Sequence, residues 1–258
     1  MDLLQAALGA FSGLLVGFSL GLVGGGGSIL AVPLMVYLVG VKEPHIAIGT
    51  SALAVAANAA LGLMNHARAG NVIWKVGLAY AAAGIIGAFA GSTAGKAFDG
   101  QKLLFLFAIV MILVGIMMLR RKGDGGGVRP TLTRDNAGKV SAFGLGTGAF
   151  SGFFGIGGGF LIVPGLTAST KMAMINAVGT SLVAVTAFGL TTAFNYALSG
   201  LVDWALAGVF ILGGLLGSTM GARAAKGLAD KGQLTRIFAG LIFIVAAYML
   251  WQSYQAAF

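Results

Sequence analysis

The chain has no cysteine, and only 9% of its 258 residues are charged. The lack of cysteine excludes disulfides, thiolate catalysis and cysteine-ligated metals. A water-exposed domain carries roughly 25% charged residues, so the composition also excludes an ordinary soluble domain. Instead, 58% of the residues are apolar and 44 are glycine. The apolar residues fall in long blocks, and roughly 20 such residues span a bilayer as a helix. We therefore predict an all-α polytopic membrane protein.

The apolar blocks contain no carboxylate, because the acidic residues fall at block ends or in loops: Asp2, Glu43, Asp99, Asp124, Asp135, Asp203 and Asp230. Transporters coupled to sodium or protons often keep an acid inside the membrane, so an anionic substrate bound by neutral donors fits better. The His-Glu-x-x-His and Gly-x-Ser-x-Gly patterns of hydrolases are also missing. With only two histidines, we expect no enzyme, no cofactor and no metal site.

Lysine and arginine outnumber the acidic residues by 16 to 7, which gives a formal net charge of +9. In a soluble protein this excess would suggest nucleic acid as a partner. In a membrane protein, basic residues concentrate in cytoplasmic loops and set the orientation of the chain. We therefore expect the lipid bilayer and a small anionic substrate as partners, and no nucleic acid.

The chain is an internal duplication with a spacing of 130 to 131 residues. Residues 21–33 align with residues 152–164, with seven identities in thirteen positions. The sequence Ala-Ile-Gly-Thr-Ser at 47–51 aligns with Ala-Val-Gly-Thr-Ser at 177–181. Such self-similarity indicates two copies of one structural unit.

The duplication predicts a first membrane repeat at 3–122, a flexible basic linker at 123–137 and a second membrane repeat at 138–254. Each repeat opens with a long glycine-broken segment, at 3–40 and at 138–169. Three ordinary membrane helices follow in each repeat, and we expect them at about 46–65, 72–95, 102–119, 174–196, 203–222 and 234–253.

The glycine-broken segment decides the topology of each repeat. If it crosses the membrane once, the sixteen basic residues divide equally, with eight on each side. If it turns back at the glycines, thirteen of the sixteen fall on the side of the linker, as the positive-inside rule favours. We therefore predict two inverted-topology repeats, each a glycine-broken helical hairpin plus three transmembrane helices, with a cytoplasmic linker and both termini outside. The pattern leaves open whether the hairpin arms cross fully or remain re-entrant.

Many glycines recur at four-residue spacing, which lets helix backbones approach closely in lipid. We expect these glycines to pack helices together: Gly9, Gly13, Gly17, Gly21, Gly87, Gly91, Gly95, Gly144, Gly148, Gly152, Gly217 and Gly221.

The glycine runs at 24–27 and 155–159, the second interrupted by Ile156, have a different expected role, because such runs do not sustain a helix cheaply. A new helix begins after each run, and a helix N-terminus offers free N–H groups to an anion. Hydroxyls of the Gly-Thr-Ser pairs and two amides add further donors. The candidate substrate-binding residues are Gly24, Gly25, Gly26, Gly27, Ser28, Thr50, Ser51, Asn65, Gly155, Gly157, Gly158, Gly159, Thr180, Ser181 and Asn195.

The duplicated signatures G-x-x-G-x-G-G-(S/G)-x-L-x-V-P and (I/V)-G-T-S resemble those of the TauE/SafE family of sulfite and organosulfonate exporters. The resemblance covers about residues 10–252. It implies a multi-pass protein of the bacterial or archaeal cytoplasmic (inner) membrane that exports sulfite or an organosulfonate such as sulfoacetate. The residues themselves are compatible with an alternating-access transporter, an anion channel or a transporter of a different small anion. A structural component without transport is a third hypothesis.

Overall fold

The computed structural model describes residues 2–120, 132–155, 159–228 and 233–257. Nearly all of these residues are helical, in the order α1 Leu3–Val23, α2 Ala31–Pro33, α3 Pro44–Arg68, α4 Trp74–Ala97, α5 Gly100–Arg120, α6 Arg134–Phe154, α7 Gly159–Thr170, α8 Met174–Ala197, α9 Trp204–Leu228 and α10 Gln233–Ala257. A 3₁₀ segment at Gly24–Leu30 and a π-helical turn at Leu34–Leu38 flank α2. Within the described ranges, six helices are long and apolar enough to cross a membrane, namely α1, α3, α4, α5, α8 and α9. The predicted all-α membrane fold is confirmed.

Both glycine-broken segments fold back as hairpins. Gly27, in the 3₁₀ segment, lies against the backbone of Ser19 in α1, which a continuous helix would place more than two turns away. In the second repeat, α6 ends at Gly155, whose φ of 68° is left-handed. A Cβ placed on Gly165 of α7 would lie 3.6 Å from the ring of Phe143 in α6. The second arm, α7, has 12 residues and is about 18 Å long at 1.5 Å per residue, which is shorter than a full membrane span.

Each hairpin packs its first arm on a helix of the other repeat, α1 on α9 and α6 on α4. Glycines at four-residue spacing form both contacts. The backbone carbonyls that meet them ascend in the same order, so each pair of helices is parallel: Phe210 and Gly214 for Gly13 and Gly17, and Tyr80, Gly84 and Ala88 for Gly144, Gly148 and Gly152. For these five glycines the predicted role in close helix packing is confirmed.

The corresponding helices α3 and α8 pack on each other in the middle of the bundle. Gly62 of α3 lies against Leu182 of α8, while Gly189 of α8 lies against Ala52 and Ala56 of α3. The contacts therefore descend along one helix as they ascend along the other, and the two helices are antiparallel. The other corresponding pair, α5 and α10, also pack together.

The first helix of the second repeat begins earlier than its hydropathy predicts, since α6 starts at Arg134 rather than near residue 138. The backbone N–H of Thr133 donates to Asn136 Oδ1 at 2.9 Å, and Asp135 lies in the first turn, where an acidic residue favours a helix start. A polar first turn can extend out of the membrane, so hydropathy alone assigns it to the linker. Residues 121–131 of the linker region lie outside the described residues.

Candidate functional site

The two predicted threonines join the repeats to each other. Thr50 Oγ1 accepts a hydrogen bond from the backbone N–H of Asp203, at 2.9 Å, just before α9. In the equivalent position of the other repeat, Thr180 Oγ1 accepts from the backbone N–H of Ile73, at 3.0 Å, just before α4. Both threonines are buried. Each hydroxyl oxygen therefore satisfies an N–H group at a helix start, and each hydroxyl hydrogen remains available as a donor.

The neighbouring serines bond within their own helices. Ser51 Oγ donates to the carbonyl of Ile48 at 3.1 Å, and Ser181 Oγ donates to the carbonyl of Val178 at 2.8 Å. Hydroxyls in membrane helices often bond the preceding turn in this way. The serine donors are thus occupied in this conformation.

The two glycine turns lie at opposite ends of the bundle. Gly155 lies against Ile48, near the start of α3, and the Thr50 contact ties that end to the start of α9. The first hairpin turns after Val23, at the end of α1, and Phe18 of this helix lies against Gly221, 17 residues beyond the first residue of α9. At 1.5 Å per residue the two turns are about 25 Å apart. Their residues are therefore not brought together, and of the second run Gly157 and Gly158 lie outside the described residues.

The first glycine run, Gly24–Gly27, begins the 3₁₀ segment, and Ser28 is buried in the same segment. In the second run Gly159 is the first residue of α7 and is also buried. The first run therefore has helical backbone of the tighter 3₁₀ type, and Gly159 stands at a helix N-terminus as the sequence predicts.

The two predicted asparagines have different surroundings. Asn65 is exposed near the end of α3. Asn195 is buried, and its amide Nδ2 donates to Ser92 Oγ at 2.6 Å and to Thr93 Oγ1 at 2.9 Å. Its Oδ1 accepts from Lys96 Nζ at 2.8 Å. Of these two equivalent amides, Asn195 is therefore packed at one end of the bundle, whereas Asn65 is exposed at the other end.

Lys96 is bound by neutral oxygens alone among the described residues. Besides Asn195 Oδ1, its Nζ donates to the carbonyl of Asn195 at 2.9 Å and to Ser199 Oγ at 2.8 Å. It also lies 5.9 Å from the centre of the Tyr196 ring. These acceptors use the three N–H donors of the ammonium but do not cancel its charge.

Two buried polar atoms without partners in the described structure belong to His45 and to Tyr196, the tyrosine that Lys96 faces. His45 Nε2 is 3.1 Å from the carbonyl of Phe98; a carbonyl only accepts, so Nε2 carries the hydrogen. His45 Nδ1 and the hydroxyl of Tyr196 are buried without a hydrogen-bond partner in the described structure, and the two rings are 6.2 Å apart. We name His45, Lys96, Asn195, Tyr196 and Ser199 the Lys96 cluster.

A family model described as the sulfite exporter TauE/SafE matches residues 9–249 of the chain. The chain belongs to the TauE/SafE family. A probable membrane transporter protein of Xylella fastidiosa is 51% identical over 95% of both chains. The probable membrane transporter protein YdhB of Bacillus subtilis is 27% identical over 81% of this chain and 86% of its own. No solved structure matches. The chain is thus a multi-pass membrane transporter of the TauE/SafE family.

The Lys96 cluster contains residues of this TauE/SafE transporter that motif reasoning missed. Lys96 ends a glycine-rich helix, so the charge pattern suggests only a loop charge. One signal was present, because Lys226 stands 130 residues later, at the spacing of the duplication. The side chain of Lys226 lies outside the described side chains.

A second missed residue is Asn58, in the middle of α3. It is 1% exposed, and neither its Nδ2 nor its Oδ1 has a hydrogen-bond partner in the described structure. The amide lies against Gly214 of α9, where the equivalent place in the other repeat holds the ring of Phe188 against Gly84. A midspan asparagine is itself a signal of function in a membrane helix, and sequence reasoning overlooked it.

Proposed function

We propose that this protein exports a small sulfur-containing anion, sulfite or an organosulfonate such as sulfoacetate, across the cytoplasmic membrane. The observation that carries the proposal is the match of residues 9–249 to the sulfite exporter family. The lack of acidic residues in the apolar blocks supports an anionic substrate, because a buried carboxylate would repel it.

The proposed membrane arrangement has inverted repeats, with the linker in the cytoplasm and both termini outside. Two observations support it. Corresponding helices α3 and α8 run antiparallel, which is what inversion of one repeat relative to the other requires. Thirteen of the sixteen basic residues then fall on the side of the linker, in agreement with the positive-inside rule.

The proposed mechanism is alternating access, in which the hairpins move against a packed helical frame. The glycine contacts hold α1 on α9 and α6 on α4 at close backbone distance, so each first arm belongs to the frame. The return arms, Gly24–Leu38 and α7, follow the glycine turns and are the parts that we expect to move. The predicted glycines, hydroxyls and amides then serve as two halves of a substrate shell, one at each end.

The test is counterflow in proteoliposomes that contain the full chain and are preloaded with sulfite. The external panel is sulfite, sulfoacetate, taurine, sulfate, thiosulfate and lactate, and protein-free liposomes are the control. We expect saturable exchange of sulfite or a sulfonate and none of lactate. If no compound of the panel exchanges, the proposed cargo is wrong. If flux rises without saturation and without counterflow, the protein is an anion channel, which is the alternative that the same donors allow.

A further inference from the structure

We propose that Lys96 and the hydroxyl of Tyr196 form an oxyanion-binding site at the end of the bundle where α3 and α9 begin. The inference rests on the proposed function for its substrate class and adds the positive charge that the glycines, hydroxyls and amides lack. The ligand class is a small sulfur oxyanion, sulfite or a sulfonate.

The first step is the charge of Lys96. Three acidic residues belong to this end of the bundle. Asp99 Oδ1 accepts the backbone N–H of Lys102 and Asp203 Oδ1 accepts that of Leu206, each at 2.9 Å, while Glu43 is exposed at the N-cap of α3 and makes no capping hydrogen bond. None of the three is among the acceptors of Lys96. The oxygens on Lys96 are an amide, a backbone carbonyl and a hydroxyl. Neutral acceptors leave the ammonium with its full charge, and charge-assisted hydrogen bonds to an anion are the stronger kind.

The second step is the geometry of the lysine. Lys96 is half-buried in the last turn of α4, and its two bonds to Asn195 hold the ammonium in place. Its third acceptor, Ser199, is exposed. An anion that replaces the Ser199 hydroxyl gains a bond to a fixed cation while both contacts with Asn195 remain.

The third and independent step is the unpartnered hydroxyl of Tyr196. Tyr196 is 0% exposed, and its hydroxyl has no hydrogen-bond partner in the described structure. A buried donor is costly to leave unpaired, so a ligand that accepts from it binds with an advantage. Lys96 Nζ lies 5.9 Å from the centre of the Tyr196 ring, so the ammonium and the tyrosine are neighbours. We expect one oxyanion to accept a hydrogen bond of about 2.8 Å from each of them.

The turn of the second hairpin adjoins this site. Gly155 lies against Ile48 of α3, three residues from His45 of the cluster, and Phe153 packs against Phe98, with ring centres 5.7 Å apart. The carbonyl of Phe98 is the acceptor for His45. Movement of the hairpin turn would therefore reach the site through the ring contact and this hydrogen bond.

The test measures sulfite-dependent shifts in the unfolding temperature of the full chain in detergent, with gluconate at equal ionic strength as reference. The variants are Lys96→Gln, Lys96→Arg and Tyr196→Phe, and the control is Lys102→Gln, which removes an exposed cation at the same end. We expect Lys96→Gln to raise the half-saturating sulfite concentration about 10- to 100-fold, and Lys96→Arg to retain part of the affinity because it keeps the charge. The control should behave as wild type.

Tyr196→Phe separates a binding role from a structural one. Its hydroxyl has no partner in the described structure, so its loss should leave the unfolding temperature without ligand at or above that of the wild type while weakening the response to sulfite. Wild-type half-saturation in Tyr196→Phe or in a folded Lys96→Gln variant overturns the proposed site, as does a wild-type protein that does not respond to sulfite. A wild type that binds sulfite through Lys96 but exchanges nothing in counterflow supports the site and refutes the proposed transport.

Discussion

The contact of α4 with α6 allows a prediction from two glycines two positions apart in one helix. A Cβ on Gly148 would lie 2.7 Å from the Cα of Gly84 and 2.8 Å from its carbonyl carbon. Ordinary carbon contacts are about 3.5–4.0 Å, so Gly148→Ala must move the helices apart by about 1 Å. A Cβ on Gly146 meets no described atom within 4 Å, so Gly146→Ala is the matched control.

Both substitutions gain helix propensity, but only Gly148→Ala also introduces overpacking. Alanine in place of a helical glycine stabilises by about 0.5–1 kcal/mol at either position. Overpacking costs about 1–3 kcal/mol and applies only at Gly148. For a chain of this size each kcal/mol shifts Tm by about 2–4 °C. Gly148→Ala should therefore have a Tm about 2–12 °C below that of Gly146→Ala.

The assay is thermal unfolding of the detergent-solubilised protein, followed by the fraction that elutes as a single peak in size-exclusion chromatography. Gly146→Ala is expected at or above the wild-type Tm. A Tm of Gly148→Ala equal to or above that of the control would refute the reasoning, because it would mean that α6 does not lie on α4 at backbone contact.

The threonine contacts and the membrane orientation provide two further predictions. Thr180→Val and Thr50→Val should each lower the free energy of unfolding by about 1 kcal/mol, because each leaves a backbone N–H unpaired. Thr180→Ser keeps the acceptor oxygen and should match the wild type. Equal stability of the valine and serine variants would contradict the hydrogen bond. The chain has no cysteine, so single cysteines at Glu43 and Ala69, exposed residues flanking α3, can show on which side of the membrane each end of α3 lies. With an impermeant maleimide on intact cells, only Glu43→Cys should react. Reaction of Ala69→Cys alone would mean that the orientation is the reverse of the proposed one.

The helices could be predicted from the sequence because the bilayer fixes their length. Apolar blocks near 46–65 and 72–95 correspond to Pro44–Arg68 and Trp74–Ala97, and the remaining ends differ where polar turns leave the membrane, as at Arg134. The close packing of glycines at four-residue spacing follows from the same physics, since small residues are what bring helices together in lipid.

The neighbours of the candidate residues could not be predicted, because helices of one repeat pack against helices of the other repeat. Thr50 meets Asp203 and Lys96 meets Asn195 across long stretches of sequence, and no local pattern indicates such partners. Motif reasoning therefore found Thr50 and Asn195 but not the partners that hold them, which are the start of α9 for the threonine oxygen and Lys96 for the amide oxygen. It also named both glycine runs as candidate substrate-binding residues, but it did not indicate that the hairpins turn at opposite ends.

The two ends of the bundle differ in how their equivalent asparagines are packed, and we relate this difference to transport. A perfectly symmetric duplication would give Asn65 and Asn195 the same surroundings, yet Asn195 is enclosed by Ser92, Thr93 and Lys96 while Asn65 is exposed. In an alternating-access carrier with inverted repeats, the second state arises when each repeat adopts the conformation that the other repeat had in the first state. In the proposed mechanism the described conformation is then one of two, packed at the Asn195 end and open at the Asn65 end. In the other, Asn65 becomes the enclosed amide, which maleimide labelling of Asn65→Cys with and without sulfite would detect as protection.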